Sequence, residues 1–97
     1  MVILGIDPGY VGWGVVRYER ARFKPLAFSA ITTPAGMEFS DRLERIYAES
    51  SLLLATHHPD AVAVEKLYFK NNQKTAIDVA QARGVILLAA RQAGVPL

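Results

Sequence analysis

The sequence predicts an α/β fold with a mixed sheet, in which three antiparallel strands are joined by one parallel strand. Two observations predict the strands. Residues 2–6 and 61–64 are short apolar runs that each lead into a carboxylate, Asp7 or Glu65, and two further strand-like segments follow the first run. The third observation is a pair of longer segments whose apolar residues recur at helical spacing. Since no repeat, low-complexity stretch or linker divides the chain, we expect a single domain over residues 1–97.

The first three strands form a predicted antiparallel meander. Residues 2–6 are apolar on both faces, which is typical of a buried central strand. After the Pro8-Gly9 turn, residues 12–18 and 25–32 are the second and third strands, and the charged residues 19–22 between them predict an exposed hairpin connection.

Two helices and one more strand complete the predicted order βββαβα. Ser40 is the predicted N-cap of a helix that runs to His57, before Pro59. A strand over residues 61–64 ends at Glu65, and a second helix covers residues 74–93, where Gly94 supplies a stop signal.

The second helix is apolar over an unusually wide arc. One sheet cannot cover such an arc, so we expect the surface around Val79, Ile86 and Ala90 to stay partly uncovered and to favour self-association. Gly84 in mid-helix suggests a close crossing by another backbone, which belongs either to the same domain or to a dimer partner.

The composition excludes several classes of protein. The 97 residues are 52% hydrophobic and 21% charged, which is typical of soluble globular proteins, and without cysteine they form neither disulfides nor thiolate metal sites. The apolar runs are too short to cross a membrane, and the first residues lack the basic lead-in of a signal peptide. We therefore expect a cytoplasmic protein. The net charge of +2 permits nucleic-acid binding without requiring it.

Asp7 and Glu65 are the candidate catalytic and metal-binding residues. If the two apolar runs are neighbouring parallel strands, both carboxylates lie at the same edge of the sheet, where open α/β folds bind ligands. Asp7 alone is better explained as a turn residue, and only its pairing with Glu65 favours a site. Glu65 has no local turn role, and a cation shared with Asp7 would compensate its charge. Oxygen ligands favour Mg²⁺ or Mn²⁺ over Zn²⁺.

The segment after Glu65 is a candidate nucleic-acid surface. Two adjacent aromatic residues, Tyr68 and Phe69, cannot both point inward from an extended segment, so one of them is free to stack on a base. Lys66, Lys70 and Lys74 lie around them. Solvated lysines and a packed aromatic residue explain the same pattern without DNA.

Four motifs together resemble the RuvC-type Holliday junction resolvases. The residues that carry the resemblance are Gly5-Ile6-Asp7-Pro8-Gly9, Gly12-Trp13-Gly14-Val15-Val16, Pro59-Asp60-Ala61-Val62-Ala63-Val64-Glu65-Lys66 and Ala80-Gln81-Ala82-Arg83-Gly84-Val85. Asp-Pro-Gly alone is shared with RNase H-like nucleases and actin-like ATPases. The combination with Val-Glu, an aromatic loop and Gln-Ala-Arg-Gly is specific, and it spans essentially the whole chain.

The resemblance implies an RNase H-like fold and a homodimeric, Mg²⁺-dependent endonuclease that nicks opposing strands of a four-way DNA junction in recombination and repair. Asp7 and Glu65 fall on two of the family's four catalytic carboxylates. Tyr68, or failing it Phe69, falls on the aromatic residue that stacks at the junction. A branch-migration helicase complex is a further candidate partner, and no membrane is involved.

Two departures from the family pattern limit what the chain is expected to do. The family's other two acidic ligands lie in a C-terminal segment beyond Leu97, so we expect an N-terminal part of a resolvase, truncated before the fifth strand and inactive by itself. The turn at Tyr10-Val11 is two residues shorter than usual, which removes a polar residue that commonly contacts phosphate.

Two other functions fit part of the sequence. The missing acidic segment favours a catalytically incomplete fold relic that serves as a dimerisation or DNA-binding module. An actin-like fragment would instead use the Asp7-Pro8-Gly9 turn to bind nucleotide phosphates, although the glycine spacing is poor for such a loop.

Overall fold

A four-stranded sheet with two helices forms the fold. The computed structural model describes residues 1–9, 11–65 and 73–97. The strands are β1 (Val2–Asp7), β2 (Gly12–Glu19), β3 (Arg22–Ala30) and β4 (Ala61–Val64), and the helices are α1 (Phe39–His57) and α2 (Gln73–Gln92). The spatial order is β3-β2-β1-β4, with β1 antiparallel to β2 and parallel to β4. The mixed sheet and the order βββαβα predicted from the sequence are confirmed.

The core lies between the helices and one face of the sheet. Strand residues alternate between the two faces, and those on the covered face are buried: Leu4, Ile6, Val15 and Val62 are at most 4% exposed. The largest buried helical residues that meet them are Ile46 and Ile86, exposed by 0% and 1%. The other sheet face carries no helix among the described residues.

The β2–β3 hairpin is tighter than predicted, and β3 therefore begins earlier. Arg20 and Ala21 both have positive φ, 51° and 59°, which gives the two-residue turn whose twist suits a hairpin. Pairing starts at once, with Glu19 opposite Arg22, so β3 spans Arg22–Ala30 and not residues 25–32. Pro25 is accommodated because β3 is an edge strand with a register shift opposite Val15 and Val16.

The predicted N-cap of α1 is wrong. Helix α1 begins at Phe39, and the capping position is occupied by Glu38, which makes no side-chain cap hydrogen bond. Ser40 consequently lies inside the first turn. Asp41, in the same turn, places negative charge near the helix N-terminus, where the helix dipole favours it.

The end of α2 follows the sequence prediction. Gly94 has φ 73°, a conformation that favours glycine, and its N–H donates to Arg91 O at 3.1 Å. Val95 N–H donates to Ala90 O at 3.0 Å. These two bonds form a Schellman motif, which satisfies helical carbonyls and turns the chain. The chain then lies beside β4, where Val62 N–H donates to Pro96 O at 2.8 Å.

The uncovered surface of α2 differs from the predicted one. Ile86 and Ala90 are each only 1% exposed, because they face the core. The exposed large apolar side chains are Ile77 and Leu88, at 60% and 50%. Gly84 lies between them on the same exposed side, and a Cβ built there meets no described atom within 4 Å. The close crossing predicted at Gly84 is therefore not made within the described part of the chain. None of the described helices is long and apolar enough to span a membrane.

Candidate metal centre

Two carboxylates lie side by side at the carboxyl ends of β1 and β4. Asp7 is the last residue of β1, and Glu65 directly follows β4. Ile6 pairs with Val64 in parallel register, and Glu65 N–H donates to Ile6 O at 3.2 Å, so pairing continues up to the two acids. Adjacent strands lie about 4.8 Å apart. At this backbone spacing, the side chains of Asp7 and Glu65 can reach one shared ion. The juxtaposition predicted from the sequence is present.

Both acids belong to the open face of the sheet. Leu4 and Ile6 of β1 point to the helices, and Asp7 is out of phase with them by one residue. Glu65 follows the same alternation in β4, where Val62 is buried and Ala63 is exposed. Asp7 is half-buried and Glu65 is exposed, so the acids are open to a ligand from solvent.

A cleft of about 600 Å³ contains both carboxylates. Apart from the two acids, its lining consists mostly of small residues: Gly5, Gly12, Gly14, Ser29 and Ala63, with Ile6, Trp13 and Val64 completing it. Among the residues that the structure describes, the only charged groups in this lining are the two acids. The negative charge of these two carboxylates favours a bound cation.

Asp7 also has the turn role that the sequence allowed. Its Oδ1 accepts a hydrogen bond from Gly9 N–H at 2.8 Å. A Cβ built at Gly9 would lie only 3.2 Å from that oxygen. Glycine at this position therefore avoids a close contact that would displace the Asp7 carboxylate. Among the described residues, Oδ2 of Asp7 has no hydrogen-bond partner. The turn fixes one oxygen of Asp7 and leaves the second available.

The donor set fits a divalent cation as part of a larger site. Carboxylate oxygens side by side are the ligands that Mg²⁺ and Mn²⁺ prefer. In the described ranges 1–9, 11–65 and 73–97, however, no group of three or more His, Cys, Asp and Glu residues lies close enough to hold an ion. Two protein carboxylates can anchor one ion together with water or phosphate oxygens, but they are too few to enclose a pair of ions.

Most of the predicted DNA-binding residues lie outside the described part of the chain. These are Lys66, Tyr68, Phe69 and Lys70, in the segment 66–72 that follows Glu65. Lys74 belongs to the first turn of α2, and only its backbone is described. Their roles remain predictions. In the shortened turn, Tyr10 also lies outside the description, whereas Val11 is 2% exposed with φ 50°.

The floor of the cleft is a feature that sequence reasoning missed. Gly5 pairs with Gly14, and Asp7 pairs with Gly12, so glycines from two strands meet beside the acid. The alternation Gly12-Trp13-Gly14 was the available signal, because every second residue of a strand shares a face. Without the register of β1 against β2, the glycines could not be placed next to Asp7.

Comparison with known proteins identifies close similarity to one group. A family model described as "Crossover junction endodeoxyribonuclease RuvC" matches residues 3–97. Among solved structures, Thermus thermophilus RuvC in complex with Holliday junction substrate has a TM-score of 0.91 and 37% sequence identity. This similarity covers 99% of the present chain and 60% of the Thermus chain.

Curated relatives show the same similarity at higher identity. The protein named crossover junction endodeoxyribonuclease RuvC from Ruminiclostridium cellulolyticum is 48% identical over the full present chain, and the match covers 60% of that relative. The protein of the same name from Rubrobacter xylanophilus is 54% identical over 97% of the chain and 54% of the relative. The chain thus spans little more than half the length of the curated relatives it matches.

The two roles of Asp7 can be separated by substitution. Asp7→Asn keeps an oxygen that can accept from Gly9 N–H, so we expect the free energy of unfolding to change by less than about 0.5 kcal/mol. Asp7→Ala removes that acceptor, and we expect a loss of about 1 kcal/mol. Urea unfolding of both variants is the measurement. Equal stability of the two variants would show that the turn bond contributes nothing.

Proposed function

The chain belongs to the RuvC family of crossover junction endodeoxyribonucleases, and we propose that it supplies part of a metal-dependent endonuclease that resolves four-way DNA junctions by nicking opposing strands. The activity would serve DNA recombination and repair. A chromosomal substrate fits the cytoplasmic location expected from the sequence.

One observation carries this proposal. The parallel register of β1 and β4 brings Asp7 and Glu65 together on the open face of the sheet, in a cleft whose described lining residues include no other charged group. The relative from Thermus that shares this fold was solved with a Holliday junction substrate. Two neighbouring carboxylates repel a DNA phosphate unless a cation lies between them, so this pair supports a phosphate bound through metal.

The chemistry divides between the metal and the protein. Divalent ions bound to such carboxylates activate water and stabilise the leaving oxygen in phosphodiester hydrolysis. Asp7 and Glu65 would hold Mg²⁺ or Mn²⁺, and the turn bond from Gly9 would keep Asp7 Oδ1 in one orientation. The glycine floor leaves room for the substrate beside them. We propose that further acidic ligands come from outside these 97 residues, since the relatives are longer than the matched region.

Metal affinity tests the paired carboxylates. We expect Asp7→Asn and Glu65→Gln each to weaken Mg²⁺ and Mn²⁺ binding at least tenfold in calorimetric titrations, because each removes one of two charged ligands. The matched control is Asp41→Asn, an exposed carboxylate on α1 outside the cleft, which should bind metal as the unsubstituted chain does. Unchanged affinity in both cleft variants would refute the site.

We further propose that the segment after Glu65 recognises the junction. Tyr68 would stack on an unpaired base, with Phe69 as the alternative, while Lys66, Lys70 and Lys74 contact phosphates. Stacking requires a base that is not already stacked on both sides, and a branch point offers such bases. Phosphate contacts are made equally well to any duplex.

The expected signature is a selective loss of junction binding. Tyr68→Ala should weaken binding to a four-way junction by roughly tenfold, the effect of losing one stacked base, and should change duplex binding little. Lys70→Ala serves as the comparison, since it should weaken junction binding and duplex binding to a similar degree. Fluorescence anisotropy at one fixed salt concentration gives the ratio of junction affinity to duplex affinity for each variant. Equal losses for Tyr68→Ala on the two DNAs would mean that the ring only packs.

A second candidate function, as a dimerisation module, is favoured by α2. Ile77 and Leu88 are half or more exposed on one side of the helix, and Gly84 between them would let another backbone approach closely. A homodimer also fits nicking of two opposing strands, which needs two equivalent sites. We propose that α2 contributes to that dimer through this surface.

Sedimentation velocity tests the dimer. We expect the chain to sediment as a dimer or larger species, and Ile77→Ser with Leu88→Ser to shift it to monomer by removing apolar contact area. Leu52→Ser is the matched control, because Leu52 is 60% exposed on α1 and lies outside the proposed surface. A monomer at all concentrations would contradict the proposal.

A further inference from the structure

The β2–β3 hairpin concentrates positive charge at the end of the sheet opposite to the two acids. Five exposed residues line an open cavity of about 630 Å³ there and are called the hairpin cluster: Arg17, Glu19, Arg20, Arg22 and Lys24. The cluster contains four cations and one acid. This excess of cations is larger than the net charge of the whole chain, which is +2. The excess positive charge of the protein therefore comes from this hairpin.

The strand register places two of these cations directly opposite each other. Arg17 pairs with Lys24, and Glu19 pairs with Arg22 two residues closer to the turn. Because strand residues alternate between faces, all four side chains lie on the same side of the hairpin. Glu19 compensates the cation opposite it, whereas Arg17 and Lys24 face each other, and like charges in that position destabilise a sheet. An anionic ligand would remove this repulsion.

The turn of the hairpin holds a further cation at a conformational cost. Arg20 and Ala21 have φ of 51° and 59°, values that glycine and asparagine adopt more easily than other residues. Backbone conformations of this kind cluster at functional sites. Arg20 lines the same cavity as the cations of the strands, so the tight turn brings its charge beside theirs.

The shape of the hairpin cluster suits an extended polyanion better than a small anion. β1 pairs with β2 only as far as Arg17, so residues 19–22 continue as a two-stranded ribbon. All members of the cluster are exposed, whereas a site for a small ligand encloses most of its surface. Duplex DNA presents a phosphate about every 3.4 Å along each strand, and its major groove admits a two-stranded ribbon.

We propose that the hairpin cluster binds the phosphate backbone of a duplex arm of the DNA substrate, away from the phosphate that is cleaved. The inference rests on the proposed nuclease function and adds a second contact surface to it. The chain from Gly12, which pairs with Asp7, to Arg20 spans about 26 Å. This length corresponds to roughly eight base pairs of B-DNA, so the contact positions an arm and takes no part in the reaction.

The salt dependence of junction binding tests this contact. Each cation that neutralises a phosphate contributes about 0.9 to the slope of log K against log salt concentration. We expect Arg17→Gln and Lys24→Gln each to reduce the slope for a four-way junction by about 0.9, measured by fluorescence anisotropy without divalent metal. Arg91→Gln is the matched control, because Arg91 is an exposed cation at the end of α2, and it should leave the slope unchanged. Glu19→Gln removes the only acid of the cluster and should strengthen binding.

A matched pair of substitutions in the turn separates charge from backbone strain. Arg20→Asn and Ala21→Asn both introduce a residue that favours positive φ, but only Arg20→Asn removes a cation. We expect Arg20→Asn to reduce the salt slope by about 0.9 and Ala21→Asn to leave it unchanged. Thermal unfolding should show that both variants are at least as stable as the unsubstituted chain, so that a lost contact is not mistaken for a damaged hairpin.

The outcomes distinguish this inference from the nuclease proposal. Unchanged slopes in Arg17→Gln, Lys24→Gln and Arg20→Asn, while the unsubstituted chain binds the junction, would overturn the inference and leave the nuclease proposal standing. The cations would then be solvated or paired with another part of the protein. An equal reduction of the slope in Arg91→Gln would also overturn it, because the effect would be one of net charge. Failure of the unsubstituted chain to bind any DNA would overturn both proposals.

Discussion

The parallel pairing of β1 with β4 is the constraint on which the site depends. Its register places Ile6 beside Val64, and the next residue on each strand is an acid. Because side chains alternate faces, a slip of one residue would send one carboxylate to the open face and the other into the core. At the opposite end of the pair, Asp60 fixes the same register: its N–H donates to Val2 O and its Oδ2 accepts from Val2 N–H, both at 2.7 Å. The position of the site is thus set at both ends of two short strands.

The register matters for the site because the described helices cover only one face of the sheet. Both helices pack on one face, where the connection through α1 allows β4 to return parallel to β1. Burial of Leu4 and Ile6 against Ile46 and Ile86 provides the apolar contact that holds this layer together. The opposite face is left with small residues, exposed aromatic rings and the two acids. The buried core and the two acids therefore lie on opposite faces of the same strands.

Much of this arrangement follows from sequence patterns whose physical basis is local. The apolar runs ending at Asp7 and Glu65, the stop at Gly94 and the second strand each depend on a few neighbouring residues, and the structure confirms each of them. Ser40 failed as an N-cap because the preceding residues enter the helix earlier, at Phe39, although serine is the better capping residue. The start of β3 was missed since Arg20 and Ala21 adopt positive φ without the glycine or asparagine that usually signals such a turn. The exposed side of α2 was misplaced because a helix that is apolar over a wide arc does not reveal which side meets the sheet. The glycine floor depends on the register between β1 and β2, which no local pattern contains.

Paramagnetic broadening by Mn²⁺ tests the central claim most directly, since it locates a bound ion without catalysis. In an isotopically labelled sample titrated with Mn²⁺, the amide resonances of Gly9, Gly12 and Ala63 should broaden first, because they surround Asp7 and Glu65. Resonances of Arg20 and Asp60, at the opposite edge of the sheet, should persist to much higher metal concentration. Asp7→Asn should abolish this difference in broadening between the two groups of resonances. Broadening that begins near Asp60, or that is uniform along β1 and β4, would contradict a cation site formed by the register of these two strands.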